Sequence, residues 1–512
     1  MSTSTLSADE LSIVLKRLKG KDIVNAMCTC RNMYEMGLPI LLGSPVELHK
    51  ERVQQFAMFV LSDIGRFGPM LRDLSLFDFC GTGFFLSDPD LVDAQLSSIL
   101  NHAVNLQAFK ISDIDFKLTT APHLMQTLLK HSAVQRISLR FVYFSSDGGQ
   151  EQIQTSLEQA SCPRLTHLEL DHLPHLPDPP ESWFAALSQF APSLQSLTTI
   201  ALPVGVLQMP FPQLTTLKSR WLQVLQFIPT STIFRLFPQL RNISILEIIQ
   251  VISNTSYGLA GSSINSDGWR AMNTRSGEKE HRWSSIAQAK STVDVLHALA
   301  FGCPISVLDI SRGTYASHSN RDTEELTIER ETILECEPRA LKLACRLPMP
   351  ANLYNLLETV FEKSTPLSYL EWNLSFPISP ETETTQTELC EHFAAVHGKS
   401  PCTTLRINVM VPRNPTPQGD FVTQDFDLDG FIKQLAKASP ALRFLCIARH
   451  AVQTTMHPPG NRNVLIDVTY VELVESPDGK TYQTLDPREE HRFDTFSDDV
   501  FKPESQYQFR YP

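Results

Sequence analysis

The sequence predicts an α/β chain in which short parallel strands alternate many times with helices, one helix to each strand. Three observations predict it: an apolar motif that recurs along most of the chain, prolines at a near-fixed offset from it, and amphipathic stretches between the copies. The motif is L-x-x-L-x-L, with other apolar residues substituting. It occurs as Leu71/Leu74/Leu76, Leu106/Phe109/Ile111, Val134/Ile137/Leu139, Leu165/Leu168/Leu170, Leu240/Ile243/Ile245, Ile305/Leu308/Ile310, Leu367/Leu370/Trp372 and Leu442/Leu445/Ile447. Weaker copies start at Leu194, Leu214 and Cys402, and the degenerate stretch PRALKLACRL, 338–347, fills one of two long gaps. Such self-similarity marks supersecondary units that bury a core only by stacking.

The punctuation agrees. Proline stands two residues before the motif at Pro69, Pro163, Pro192, Pro212, Pro238 and Pro440, and one residue before it at Pro304, Pro366 and Pro401. Proline removes a helical donor and pushes the preceding residue out of the α region, so a helix stops there before a strand begins. Upstream, PDLVDAQLSSILNH (89–102) and DLDGFIKQLAKAS (427–439) carry apolar residues at one-face helical spacing. PHLMQTLLKHS, QEQIQTSLEQA, ESWFAALSQFA, STVDVLHALA and ANLYNLLETVFEKS behave likewise. The alternative at this point is an ordinary α/β domain whose strands happen to read L-x-x-L-x-L.

The first forty residues differ. Ser7 or Asp9 is placed to cap a helix that Gly20 ends, and Asp22 to cap a second helix. In that second helix Ile23, Met27, Cys30 and Tyr34 step by four, three and four, which predicts one apolar stripe with Cys30 on it. Cys28 would point elsewhere, and thiols two residues apart on a helix do not chelate one metal readily. A core helix, rather than a metal site or a thiol pair, is the expectation.

Two resemblances follow from these residues. The repeats resemble the leucine-rich repeat family in its long, irregular form, although the Asn or Cys ladder expected after each strand is mostly absent. The opening resembles an F-box, matched by Leu6, Glu10, Leu11, Leu15, Leu18, Asp22, Ile23, Cys30, Arg31 and Tyr34, with Ser7 where that family usually has proline. Together they imply an α/β architecture with an F-box-like helical domain at 4–45, a linker helix at 46–68 and an irregular leucine-rich-repeat solenoid at 69–450. A polar insertion at 252–284 and a C-terminal extension at 451–512, acidic at its end, complete it. They further imply the substrate-recognition subunit of a Skp–cullin–F-box ubiquitin ligase. Such a subunit meets the Skp adaptor through Leu6, Ser7, Glu10, Leu11, Leu15, Leu18, Ile23 and Cys30, is tied by it to the cullin scaffold, and holds an unknown target protein on the repeats. It is not itself an enzyme and needs no cofactor. A repeat scaffold without ligase coupling is the rival reading.

Residues between the motif leucines point away from the core and would line the open strand face. Among them Arg136, Arg140, Lys218, Arg220 and Arg241 are expected to form a basic patch for an acidic or phosphorylated segment, because guanidinium forks bind oxyanions at two points. Ordinary solvated strand residues are the alternative. Apparent catalytic motifs fail on inspection. HGKS at 397–400 has Phe393 where a phosphate loop needs its first glycine, CGTG at 80–83 lacks the third glycine of a dinucleotide fingerprint, and DHLPHLPD at 171–178 reads as a polar loop rather than a metal site.

Composition limits the classes. A chain of 512 residues with 42% hydrophobic and 20% charged content has ample apolar surface for globular cores. Net charge −12 disfavours nucleic acid or an anionic membrane as partner. No apolar window spans a bilayer, and MSTSTLSADELSIVL lacks the basic start and apolar core of a signal peptide. Ten cysteines in no paired pattern read as reduced thiols. A cytoplasmic and/or nuclear protein is the expectation. The insertion 252–284, rich in Ser, Asn and Gly, reads as a long mobile loop whose Trp269 and Trp283 either anchor a partner or fold back on the array.

Overall fold

The computed structural model describes residues 7–18, 20–77, 89–112, 115–116, 122–140, 143–144, 161–171, 187–204, 207, 209–224, 227, 229–250, 262–263, 265–275, 283–310, 323–346, 351–363, 367–375, 393–394, 396–412, 428–456, 459–476 and 479–485. The chain divides into two units: unit 1 is Met1–Ile228 with Arg235–Gln239 and Ile249–Ser262, and unit 2 is Pro229–Phe234, Leu240–Ile248 and Ser263–Pro512. Leu6, most of the helix-like stretches 150–160 and 181–191, residues 172–178 of the His-rich loop and the tail from 486 lie outside the described residues.

Unit 1 opens with three helices, α1 (Ala8–Arg17), α2 (Gly20–Met27) and α3 (Arg31–Gly43). Ser7 starts α1 with a reciprocal cap: its hydroxyl accepts the Glu10 N–H at 3.3 Å, and the Glu10 carboxylate accepts the Ser7 N–H at 2.8 Å and hydroxyl at 2.9 Å. Both α1 and α2 pack on α3. The α2–α3 approach is close because of Gly37, where a Cβ would stand 2.4 Å from Met27 Cγ. The expected single helix through Cys30 is corrected here. The chain leaves the helix after Met27, and Cys30, in extended backbone (φ −162°, ψ 164°), is the exposed residue that begins α3.

The strands of unit 1 are β1 (Val46–His49), β2 (Asp73–Phe77), β3 (Ala108–Ser112), the two-residue β4 (Asp115–Phe116), β5 (Arg136–Arg140), the two-residue β6 (Tyr143–Phe144), β7 (His167–Asp171), β8 (Ser196–Pro203) and β9 (Thr216–Val224). The ladder β1–β2–β3–β5–β7–β8–β9 is parallel throughout and in sequence order, and β4 pairs with β6 beside it. The span 46–68, expected as a linker helix, is therefore part strand. Its β1 joins the ladder before the helices Lys50–Ser62 and Ile64–Phe67.

The motif explains how consecutive units lock together. Its first leucine closes a turn: the N–H of Leu71, Leu165 and Leu214 donates to the carbonyl of Gly68, Cys162 and Phe211 at 3.1–3.2 Å. Pro69, Pro163 and Pro212 occupy the second position of those turns, where the fixed φ of proline is already correct. The residue after that leucine offers one carbonyl to two donors of the next unit. Arg72 O accepts from Gln107 and Ala108, Gln107 O from Gln135 and Arg136, Gln135 O from Thr166 and His167, Thr166 O from Gln195 and Ser196, and Gln195 O from Thr215 and Thr216. The remaining motif positions bury Leu74, Phe109, Ile137, Leu168, Leu197 and Leu217 at 0–2% exposure. Truncating any one of them to alanine removes about 2 to 5 kcal/mol.

Gly68 marks a tight spot. A Cβ there would lie 2.9 Å from both the Cβ and the carbonyl oxygen of His102, so the backbone of the neighbouring helix Pro89–His102 would have to move. Gly68→Ala is expected to destabilise unit 1 by about 1 to 3 kcal/mol. A thermal melt with an unchanged midpoint would contradict this.

Unit 2 repeats the scheme with β10 (Asn242–Gln250), the two-residue β11 (Ser262–Ser263), β12 (Ile286–Ser291), β13 (Ile305–Ile310), β14 (Ala340–Arg346), β15 (Tyr369–Ser375), β16 (Thr404–Pro412) and β17 (Phe444–Met456). The ladder β10–β12–β13–β14–β15–β16–β17 is parallel and again in sequence order. The strand β14 lies in the expected stretch 338–347, and β12 fills the other gap. The ladder then reverses: β18 (Pro459–Ser476) and β19 (Gly479–Thr484) are antiparallel. The boundary expected at 450 thus falls inside β17, and the described residues of 451–485 continue the sheet.

The insertion is corrected in part. Residues 265–275 and 283–284, expected in a mobile loop, are ordered. They hold the helix Ser266–Arg275, and Trp269 and Trp283 are each only 5% exposed. Trp283 meets Phe234 edge-on at 5.5 Å and Phe301 at 5.7 Å. Asn273 accepts the Thr230 N–H at 2.9 Å and donates to Ala298 O at 2.7 Å, Asp267 meets His297 at 2.9 Å, and Arg270 pairs with Glu335. Both tryptophans are core residues of unit 2, not partner anchors.

Candidate protein-binding surfaces

The N-terminal block carries the residues expected to meet an adaptor. Leu15 and Ile23 are buried in it at 0% and 4% exposure and so hold the helices together. Leu11 and Leu18 are half-buried, Cys30 is exposed, and Ser7 and Glu10 are engaged with each other in the cap. The cap holds the Glu10 carboxyl below its usual range, chiefly through the Ser7 N–H and then its hydroxyl. Sequence reasoning missed Ile13, Val14 and Val24, which stand 55%, 45% and 43% exposed on α1 and α2. The signal was present: five apolar residues between Leu11 and Leu18 are more than one buried stripe accommodates.

The open strand face of unit 1 separates the expected basic residues. Arg136 and Arg140 lie on β5, while Lys218 and Arg220 lie on β9. With β7 and β8 between them, the two pairs are roughly 14 Å apart. Arg136 sits 3.6 Å from Asp73 in an exposed pair, and Arg140 stands opposite Asp171 in the ladder. The same face carries Glu169, which accepts the Ser138 hydroxyl at 2.6 Å, and Arg220 stacks over Trp221 at 5.1 Å. His167 is half-exposed, and burial, with Arg136 beside it, lowers its pKa. Arg241 belongs to unit 2, where its carbonyl accepts the Ala287 and Gln288 N–H groups. The face is a mixed polar surface rather than a single cationic patch.

In unit 2 the strand faces are sharply different. Trp372 of β15 points to the helices, packing edge-on against Phe393 at 6.0 Å, and Phe393 meets Phe431 of the helix Leu428–Ala438. Strand alternation sends Glu371 the other way. There, Lys290, Asp309, Lys342, Glu371 and Arg406 lie in register on β12, β13, β14, β15 and β16, one residue per strand with alternating sign. Lys290 and Asp309 are 3.6 Å apart and Lys342 and Glu371 3.2 Å apart. Glu371 also accepts the Tyr369 hydroxyl and the Asn408 amide, each at 2.9 Å. Burial pushes the Asp309 carboxyl up despite Lys290 and Lys342. Burial acts on Glu371 too, but Lys342 and Arg406 outweigh it and hold that carboxyl low. Among the described residues no group of three or more His, Cys, Asp or Glu is placed to hold a metal ion. The row is largely buried, with the Asp309, Lys342 and Glu371 side chains 19%, 13% and 11% exposed.

Of the described cysteines, Cys28 and Cys30 are exposed and the other five are buried. Cys162, Cys303, Cys336, Cys402 and Cys446 are buried, and burial pushes the thiols of Cys162 up to about 11 and of Cys336 and Cys402 to about 12. No helix among the described residues is long and apolar enough to cross a membrane. No family model matches the chain, and no curated protein matches it.

Proposed function

We propose that the chain is the non-catalytic substrate-recognition subunit of a Skp–cullin–F-box ubiquitin ligase: the N-terminal block holds the Skp adaptor and the open strand faces hold a target protein. The observation that carries this reading is the pairing of two features in one chain. A capped three-helix block exposes Ile13, Val14 and Val24, and parallel strands laddered in sequence order follow it, as an irregular leucine-rich-repeat solenoid requires. Catalysis by such a subunit is positioning, with the bond-making groups supplied by the partner enzymes of the ligase. A scaffold without ligase coupling is the second reading, favoured by the mutual engagement of Ser7 and Glu10, an N-terminal cap that accounts for both residues without an adaptor.

Co-purification of the adaptor with the full chain separates them. The full chain is needed because α3 packs on β1 and on the turn Gly68–Met70. Ile13→Asp with Val14→Asp changes exposed positions only, so the fold is retained while adaptor capture is expected to be lost. No capture by the wild type favours the scaffold, and equal capture by both chains overturns Ile13 and Val14 as the adaptor contact.

A further inference from the structure

The charge row of unit 2 holds three cations and two anions, so Arg406 at its end shares Glu371 with Lys342 and has no anion of its own in the row. The next residues in register, Cys446 and Tyr470, are neutral. Glu371, the nearest acid, is already satisfied: Lys342 Nζ and the Tyr369 hydroxyl meet one of its oxygens, and the Asn408 amide meets the other. Arg406 in turn makes one hydrogen bond among the described residues, from Nε to Asn408 Oδ1 at 3.1 Å. Asn408 is itself fixed, because its amide nitrogen donates to Glu371 and to Asn373 Oδ1, each at 2.9 Å. The guanidinium is thus oriented through Nε, and its two terminal nitrogens, which form the fork, have no hydrogen-bond partner among the described residues. A partly buried guanidinium held in this way is preorganised for an oxyanion at two points.

We propose that the partly exposed Arg406 anchors an anion subsite on the strand face of unit 2 opposite Trp372, taking the carboxylate or phosphoryl group of a bound protein's side chain. The subsite rests on the reading of that face as target-binding and moves the acidic-segment contact away from Arg136 and Lys218. Carboxylate and phosphate share the fork chemistry, and the test distinguishes them.

The test is arginine modification by phenylglyoxal on the intact chain, read at Arg406 by mass spectrometry, with exposed Arg443 as internal control. Sodium phosphate and sodium acetate are the two arms, with sodium chloride at matched ionic strength. Arg406 is expected to react without anion and to be slowed about tenfold when an anion is present at about ten times its dissociation constant, while Arg443 changes little. Stronger protection by phosphate assigns a phosphorylated segment, and stronger protection by acetate an acidic one. An Arg406 that does not react in chloride, or that phosphate and acetate slow no more than Arg443, overturns the subsite. The readout involves no adaptor, so failure of the ligase reading leaves it unchanged.

Discussion

Replacing Glu371 by leucine is expected to destabilise unit 2 by about 3 to 5 kcal/mol. The side chain is only 11% exposed and its Lys342 partner 13%, so removing the carboxylate strands a cation in a poorly hydrated site. It also leaves the Tyr369 hydroxyl and the Asn408 amide without their acceptor. Lys342→Met should cost a similar amount, by leaving Glu371 and Asp309 facing each other without the cation between them. The double variant removes both charges and should cost clearly less than the sum, with a coupling of about 1 to 3 kcal/mol. Hydrogen exchange at β14–β16 amides measures unit 2 alone, which matters because a two-unit chain need not unfold in one step. Additive losses, or a Glu371→Leu loss under about 1 kcal/mol, would mean that the ladder is decoration.

Acid should loosen unit 2 well before most carboxylates titrate. His397 is 1% exposed, stacks on Phe393 at 5.8 Å, and accepts the Trp372 indole N–H at Nε2, 3.3 Å away. Burial pulls its pKa from 6.5 down to about 3. Below 6.5 the unfolded chain binds a proton that the folded chain refuses, so stability is full above that pH and drains away as pH falls towards 3. The loss reaches about 5 kcal/mol at most. Glu371 drains stability in the same direction, whereas Asp309, with its carboxyl pushed up by burial, works against it. His397→Gln retains an acceptor for Trp372 but no titrating ring. Its unfolding free energy should therefore fall less steeply between pH 6.5 and 4 than that of the wild type. Parallel curves would show that His397 titrates as freely in the folded chain as in the unfolded one.

Much of the fold was legible because motif leucines bury the same positions in unit after unit. The strands that escaped did so for identifiable reasons. In β12, Ala289 and Ser291 stand where the neighbouring strand has Ile243 and Ile245, and the Ser291 hydroxyl is satisfied by donating to Ile245 O. Thr199 and Ser219 make the same substitution in the weak copies at Leu194 and Leu214, and Ser219 donates to Trp221 O at 2.8 Å. A hydroxyl that finds a backbone carbonyl is tolerated in an apolar row, and no reading of hydrophobicity registers it. The antiparallel β18 contains VLIDVTYVEL (464–473), rich in β-branched residues, but no proline stands one or two residues before that run as it does before most motif copies. Cys30 misled because helical spacing continues across a break that its extended backbone imposes. The charge row was invisible for another reason: its members lie 19 to 35 residues apart, and only the strand register brings them into line.

The central claim is that the N-terminal helices grip a Skp adaptor, and hydrogen exchange of the full chain with and without purified adaptor tests it most directly. The account predicts slowed exchange in α1 and α2, around Ile13, Val14 and Val24, with β2–β9 unchanged. Unchanged exchange in α1 and α2 at saturating adaptor, or protection confined to the strand faces, would contradict it.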